Sequence, residues 1–237
     1  MGTRRILLAL LPALALAVPA AAKVPLRYTA GDVFQLMLEA QDRRAWMQAQ
    51  VIKTEVTKGS KKEPTRTHGR LTSRSGGKAR LEIDDPAPGL IVADGRNLWV
   101  ELPQVNQVMR YDQAQLAASG NFFLDLTSSI RHYAKASVKR RFRPGDDFDE
   151  SRVSALEMVP EHPEQAGFER LRVWVDDHRW VVLRVELDYG GTQSDVRFTD
   201  IKVMTQRAVR ADPGQALPKG LFDYAPPKGY EVFNIDL

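Results

Sequence analysis

The residue types that carry catalysis or metal binding are few in this chain, and none falls in a catalytic or ligating motif. The four histidines, at positions 68, 132, 162 and 178, are scattered, without a second histidine or a carboxylate at zinc-ligand spacing. The 237 residues include no cysteine, which excludes a thiolate nucleophile, a CxxC redox pair and cysteine-ligated metal clusters. No GxSxG elbow, phosphate-binding glycine loop or dinucleotide fingerprint occurs. The sequence therefore predicts no catalytic residue, no metal and no cofactor, and favours a protein that is not an enzyme.

Two charged segments are the other candidates for chemistry. The acidic run GDDFDE at 145–150 lacks the alternating ligands and the sixth-position glycine of a calcium loop, which favours a solvated loop. The basic cluster between residues 135 and 143 is typical of a solvated face, with docking to a partner as the alternative. Overall, 34 Lys and Arg are interspersed with 30 Asp and Glu, whereas a nucleic-acid-binding surface concentrates positive charge. We therefore expect no nucleic-acid partner.

The first 22 residues have the organisation of a secretory signal peptide. A basic pair at 4–5 precedes an apolar run at 6–18, and the alanines at 20–22 supply the small residues of a cleavage site. The run is shorter than the ~20 residues of a membrane-spanning helix, and proline interrupts it. We therefore expect cleavage after Ala22 and export across the inner membrane, which leaves a single domain at 23–237.

The mature chain changes from helical periodicity to strand alternation. Thr29 and Asp32 form a helix-capping signature, and apolar residues follow at helical spacing up to Arg43 and Arg44. Beyond them the period becomes two, with Gly, Pro or Asp at the turns. About eleven strands are predicted, at 46–58, 65–75, 78–83, 90–93, 97–102, 107–111, 138–143, 153–159, 169–176, 180–189 and 192–204.

Two short helical pieces interrupt the predicted strands. Asp112 can cap a first piece that ends at Ala118, and a second helix is predicted at 121–134. The apolar stripe of the second helix consists of Phe122, Phe123, Leu126, Ile130 and Tyr133. An antiparallel sheet of about eleven strands must close, split into a sandwich or curve strongly, and the helices are available to cover its concave face.

The later strands carry apolar residues that alternate with polar ones and would line one face of the sheet. These residues are Leu171, Val173, Val175, Val181, Leu183, Val185, Leu187, Val196 and Phe198. Taken alone they favour a packed core, and a hollow ligand-binding face is the alternative.

Four segments of the chain resemble the LolA family of periplasmic outer-membrane lipoprotein carriers. They are GRLTSRSGGKARLEIDDP at 69–86, DGRNLWVELPQVNQVMRYD at 94–112, LDYGGTQSDVRFTDIKV at 187–203 and FDYAPPKGYEV at 222–232. The resemblance implies a mainly β fold with helical insertions, a strongly curved and incomplete antiparallel β-barrel lidded by helices. Its concave side would hold lipoprotein acyl chains.

The resemblance also implies a function and a set of site residues. The function is that of a monomeric periplasmic chaperone, which would take acylated lipoproteins from an inner-membrane ABC transporter of the LolCDE type to an outer-membrane acceptor of the LolB type. Arg74 matches a family arginine that holds the lid closed, and Arg80 is the second candidate. The residues expected to contact acyl chains are Phe122, Phe123, Leu126, Ile130, Val173, Val175, Leu183, Val185, Leu187, Val196 and Phe198.

The alternative function is that of a periplasmic lipid- or lipoprotein-sensing regulator of the RseB type, which shares the fold and carries a second C-terminal domain. The chain ends shortly after the PPxG element of its last matching segment, which favours the carrier.

Overall fold

The computed structural model describes residues 28–118, 135–138, 152–160 and 168–236, and these are mainly β-structure. The helices in these ranges are α1 (Ala30–Arg43), α2 (Gln113–Ala118) and α3 (Gln206–Ala211). The strands are β1 (Arg44–Thr57), β2 (Thr65–Arg74), β3 (Lys78–Asp85), β4 (Gly89–Asp94), β5 (Asn97–Leu102), β6 (Gln107–Asp112), β7 (Lys135–Val138), β8 (Val153–Val159), β9 (Arg170–Asp176), β10 (Val182–Asp188), β11 (Thr192–Thr205) and β12 (Glu231–Ile235).

All of these strands join one sheet, in the order β12-β6-β5-β4-β3-β2-β1-β11-β10-β9-β8-β7. Neighbouring strands are antiparallel, apart from β12, which pairs with β6 in parallel. Within the described residues β12 and β7 are the two edges, so the sheet is open. So many twisted strands curve the sheet on itself. The predicted fold class, a curved and incomplete antiparallel barrel with few helices, is confirmed.

The predicted strands agree closely with those observed. Those that lie wholly in the described ranges are all present, and their ends differ from the prediction by at most two residues. The predicted strand at 138–143 is described only at Val138, the last residue of β7. The sequence analysis missed α3 and β12. The side chains of β12 are exposed or half-buried, so the strand has no alternation of polar and apolar burial to reveal it.

The first helix begins as its capping signature predicts. The backbone N–H of Asp32 donates to Thr29 Oγ1 at 3.2 Å, and the backbone N–H of Thr29 donates to Asp32 Oδ2 at 2.8 Å. Val33 and Met37 are the fully buried side chains of α1. We call the face of the sheet on which they pack the inner face. The main core lies there, and its buried members from the sheet are Val51, Leu156, Met158, Leu171, Val173, Val175, Val185, Leu187 and Val196.

The opposite, outer face is crossed by the C-terminal segment, which we define as residues 212–230. The Trp46 indole N–H donates to the carbonyl oxygen of Gln215 at 2.8 Å, and the Tyr224 hydroxyl donates to Glu101 Oε2 at 2.7 Å. Phe222, from the same segment, is only 5% exposed. These contacts fasten the segment across β1 and β5.

The contact between Tyr224 and Glu101 makes stability depend on pH at high pH. Burial, and then the hydrogen bond to the Glu101 carboxylate, raise the pKa of Tyr224 above its usual value. The contribution is fully present below the unfolded-state pKa of about 10 and is lost as pH rises towards the folded-state pKa. We expect Tyr224→Phe to lower the free energy of unfolding by about 1 kcal/mol at pH 8. Urea unfolding at pH 8 and 10.5 should show that difference shrinking at the higher pH, and a constant difference would contradict this.

Gly69 lies at a register shift between β2 and β3, where the two backbones approach closely. A Cβ atom at this position would overlap the backbone carbonyl oxygen of Glu82. We expect Gly69→Ala to lower the free energy of unfolding by roughly 1–3 kcal/mol, because the clash is with backbone and not with a movable side chain. Gly191→Ala is the matched control, since a Cβ there meets open space. Equal unfolding midpoints for the two variants would show that β3 can move away.

Candidate functional site

An apolar row crosses the inner face and begins at the margin of the main core. Its members are directly opposite neighbours on β2, β3, β4, β5 and β6, namely Leu71, Leu81, Ile91, Val100 and Met109. Opposite residues of antiparallel strands share a face, and Leu71 and Leu81 pack against the core under α1. The row therefore lies on the inner face and continues the core across the sheet.

Each side chain of the apolar row is half-buried in the described residues. A second, parallel row lies beside it, formed by Ala79, Ala93, Leu98 and Tyr111, in which Ala93 and Leu98 are buried. Such a run of large apolar side chains that keep part of their surface exposed is typical of a binding surface. A fully packed core would have buried them.

The charged residues of the same strands point the other way. On β3, Ala79, Leu81 and Ile83 alternate with Lys78, Arg80 and Glu82. The Arg80 Nε atom lies 2.9 Å from Glu82 Oε1 on the outer face. The sequence therefore places apolar side chains along the inner face of β2–β6. The interaction that such a face can offer a ligand is mainly hydrophobic contact.

An ion pair marks one end of the inner face. On β1, Lys53 lies opposite Val196 and Glu55 lies opposite Ser194, and the Lys53 Nζ atom is 2.9 Å from Glu55 Oε1. Burial, and then the negative charge of Glu55, raise the pKa of the nearby Tyr189. This polar end bounds the apolar surface of the inner face.

The sequence analysis did not single out the apolar row, and the strand residues that it predicted to contact acyl chains lie on β9, β10 and β11. The alternation in β3 was visible in the sequence, and the same pattern in β4 and β5 is short and partly masked by consecutive apolar residues. The row becomes evident only from the pairing register of the five strands, which places one apolar residue of each strand opposite the next.

The structure does bring most of the predicted acyl-contacting residues together, but as packed core. The buried ones are Val173, Val175, Val185, Leu187 and Val196, each at most 4% exposed, and Phe198 packs against them half-buried. Val33 and Met37 of α1 belong to the same cluster. Contact between these residues and an acyl chain would therefore require this packed cluster to open, and their binding role stays a prediction.

Leu183 does not share the inner face, and the prediction that it does is wrong. It packs with Trp174, Val153 and Ala155 in a separate cluster, while Val182 takes its place against the main core. The cause is a register shift between Val182 and Arg184 in the pairing of β10 with β9. Such an irregularity reverses which residues face inward. The other predicted contacts, Phe122, Phe123, Leu126 and Ile130, lie outside the described residues.

The two candidate lid arginines alternate with residues of the inner face and therefore lie on the outer face. Arg80 is opposite Thr72 and Val92 in the sheet and is paired with Glu82. Arg74, at the end of β2, lines a cavity beside the C-terminal segment. Within the described residues no hydrogen bond or ion pair joins either arginine to α1. Their predicted control of a lid stays a prediction.

The described residues hold no cluster of three or more His, Asp or Glu side chains that could bind a metal ion. No helix among them is long and apolar enough to cross a membrane.

The fold and the site together define a class of protein: in the described residues, an open, curved β-sheet with helix α1 packed on its concave face and a half-exposed apolar surface beside it. The chain belongs to the LolA family, since the family model described as "Outer membrane lipoprotein carrier protein LolA" matches residues 52–211. The resemblance found in the sequence is thereby confirmed.

Similar proteins agree with this membership. An outer-membrane lipoprotein carrier protein from Dechloromonas aromatica is 25% identical over 89% of this chain and 91% of its own length. One from Chromobacterium violaceum is 27% identical over 80% of this chain and 82% of its own. A crystal structure of an uncharacterised conserved protein from Thermus thermophilus superposes with a TM-score of 0.52 at 14% identity, covering 85% of this chain and 98% of that one. The last match shows a shared fold alone.

Proposed function

We propose that the protein is a periplasmic carrier that binds the acyl chains of lipoproteins on the inner face of its sheet and carries them from the inner to the outer membrane. The observation that carries the proposal is the apolar row, which is directed to the concave side and stays half-exposed. Family membership and the carrier names of the relatives from two bacteria support it.

The energy of acyl transfer explains why such a surface is needed. At about 0.8 kcal/mol per CH₂ group, a chain of about fifteen carbons loses roughly 12 kcal/mol on entering water. A carrier must replace the membrane with protein apolar surface. The apolar row and the neighbouring Tyr111 provide a continuous apolar surface of this kind across five strands.

The proposal includes the route and the partners of the carrier. The protein would lose residues 1–22 on export, act as a monomer in the periplasm and bind acylated lipoproteins. It would receive them from a LolCDE-type ABC transporter and deliver them to a LolB-type acceptor where one exists. It would perform no catalysis, because its task is to move a ligand unchanged between two apolar environments.

Titration with a fluorescent fatty acid tests the proposal. The mature protein should enhance and blue-shift the probe emission, because the fluorophore enters an apolar site. A synthetic acylated lipopeptide should displace the probe, whereas the same peptide without acyl chains should not. Failure of the acylated peptide to displace the probe would overturn the carrier function.

A further inference from the structure

A second concave feature lies on the outer face, on the side of the sheet opposite the apolar row. It is a cavity of about 480 Å³ between the start of β1, the hairpin that joins β2 to β3, and the C-terminal segment. Its size falls in the range of about 300–1,000 Å³ that small-molecule sites occupy. Because the sheet separates it from the inner face, both sites could be filled at once.

The floor of this outer cavity is apolar. Trp46, Leu221 and Phe222 are among its lining residues. The hydrogen bond from the Trp46 indole to Gln215 fixes one wall to the C-terminal segment, and the burial of Phe222 fixes the other. The cavity is thus held by side chains that are already ordered, so a ligand need not organise it.

The rim of the cavity is positively charged. Arg74, Lys78 and Lys219 line it against a single carboxylate, that of Asp223. In the described part of the chain, none of the three cations makes an ion pair or a side-chain hydrogen bond. By contrast, Arg184 on the same sheet holds Asp195 at 2.8 Å. Three cationic side chains thus line one cavity, and none of them is paired with a carboxylate. An anion bound there would accept charge-assisted hydrogen bonds from them.

We propose that the outer cavity binds an amphiphilic anion. Its phosphate or carboxylate group would be held by Arg74 and Lys78 at the end of the β2–β3 hairpin, and its apolar part would lie against Trp46 and Leu221. A lipid headgroup with the start of its chain and a free small organic phosphate share this chemistry. The cations at the rim suit an anionic group, and the aromatic floor suits an apolar group. A ligand that carries both groups contacts both parts of the cavity, whereas an inorganic ion would contact only the rim.

The Trp46 indole N–H gives a residue-specific signal for the test, by NMR of the ¹⁵N-labelled mature protein. Hexyl phosphate is the probe, because its short chain suits the outer cavity, and hexanol and inorganic phosphate are the comparison ligands. We expect hexyl phosphate to shift the Trp46 signal in a saturable manner and hexanol to do so far more weakly. Lysophosphatidic acid that binds more tightly than hexyl phosphate would assign the site to a lipid, and equal affinities would assign it to a free organic phosphate.

Two double variants with equal charge change complete the test. Arg74→Gln with Lys78→Gln should weaken hexyl phosphate binding about tenfold or more. Lys62→Gln with Arg66→Gln, in the turn before β2 and at the start of β2, should leave the affinity within about twofold, because neither residue lines the cavity. Binding that is unchanged in the first variant would overturn the proposal, as would inorganic phosphate binding as tightly as hexyl phosphate. The acyl-chain function can fail without affecting this result, because the readout is a side chain on the outer face.

Discussion

Replacing Ile91 by aspartate should weaken the binding of a fluorescent fatty acid by about tenfold or more while the protein stays folded. Ile91 is the central member of the apolar row, between Leu81 and Val100. It is half-buried, so an aspartate there remains hydrated while the site is empty. A bound alkyl chain would cover the carboxylate, and burying an unpaired charge is costly. A tenfold loss corresponds to about 1.4 kcal/mol.

The matched control for Ile91→Asp is Val56→Asp, which makes a similar change at an exposed apolar residue. Val56 is 42% exposed and lies opposite Gln193 on the other face of β1. The control should keep the affinity of the unmodified protein, and circular dichroism should show both variants folded. Equal affinities for the folded Ile91→Asp variant and the control would mean that acyl chains do not bind along the apolar row.

Replacing Leu187 by alanine should lower the free energy of unfolding by about 2–5 kcal/mol. Leu187 is 2% exposed and packs in the same cluster as Val33 and Met37 of α1. Removing three carbons from such a site loses their transfer energy and leaves a cavity. Urea unfolding measures the change, and Val159→Ala, at an exposed position of β8, should cost less than about 0.5 kcal/mol.

The same variant separates core from binding surface. Because Leu187 is buried in the cluster that includes Val33 and Met37 of α1, the folded fraction of Leu187→Ala should bind the fatty acid within about twofold of the unmodified protein. A large loss of fatty-acid affinity with little loss of stability would show that Leu187 contacts the bound acyl chain. The acyl site would then extend beneath α1 to the residues that the sequence analysis selected.

The sequence predicted the elements well because their signals are local. The capping pair Thr29 and Asp32, the glycine turns and the two-residue alternation each act over a few residues, and the structure reproduces them. The parallel pairing of β12 with β6 depends on residues more than a hundred positions apart, and the exposed side chains of β12 carry no pattern. Only the three-dimensional arrangement could reveal that strand.

The candidate site was harder to predict than the fold. Alternation shows which residues share a face, but it does not show which part of that face a helix covers. Val185 and Leu71 have similar sequence surroundings, yet Val185 is buried in the main core and Leu71 is half-buried at its margin. Leu183 shows a further limit, since one register shift moved it to the other face.

Native mass spectrometry of the protein recovered from the periplasm tests the central claim, that the inner face carries acyl chains, most directly. The unmodified protein should retain an acylated species, or take up a synthetic triacylated peptide in a one-to-one complex, and the Ile91→Asp variant should do so far less. Folded protein that carries no acylated species and forms no complex with the triacylated peptide would contradict the claim.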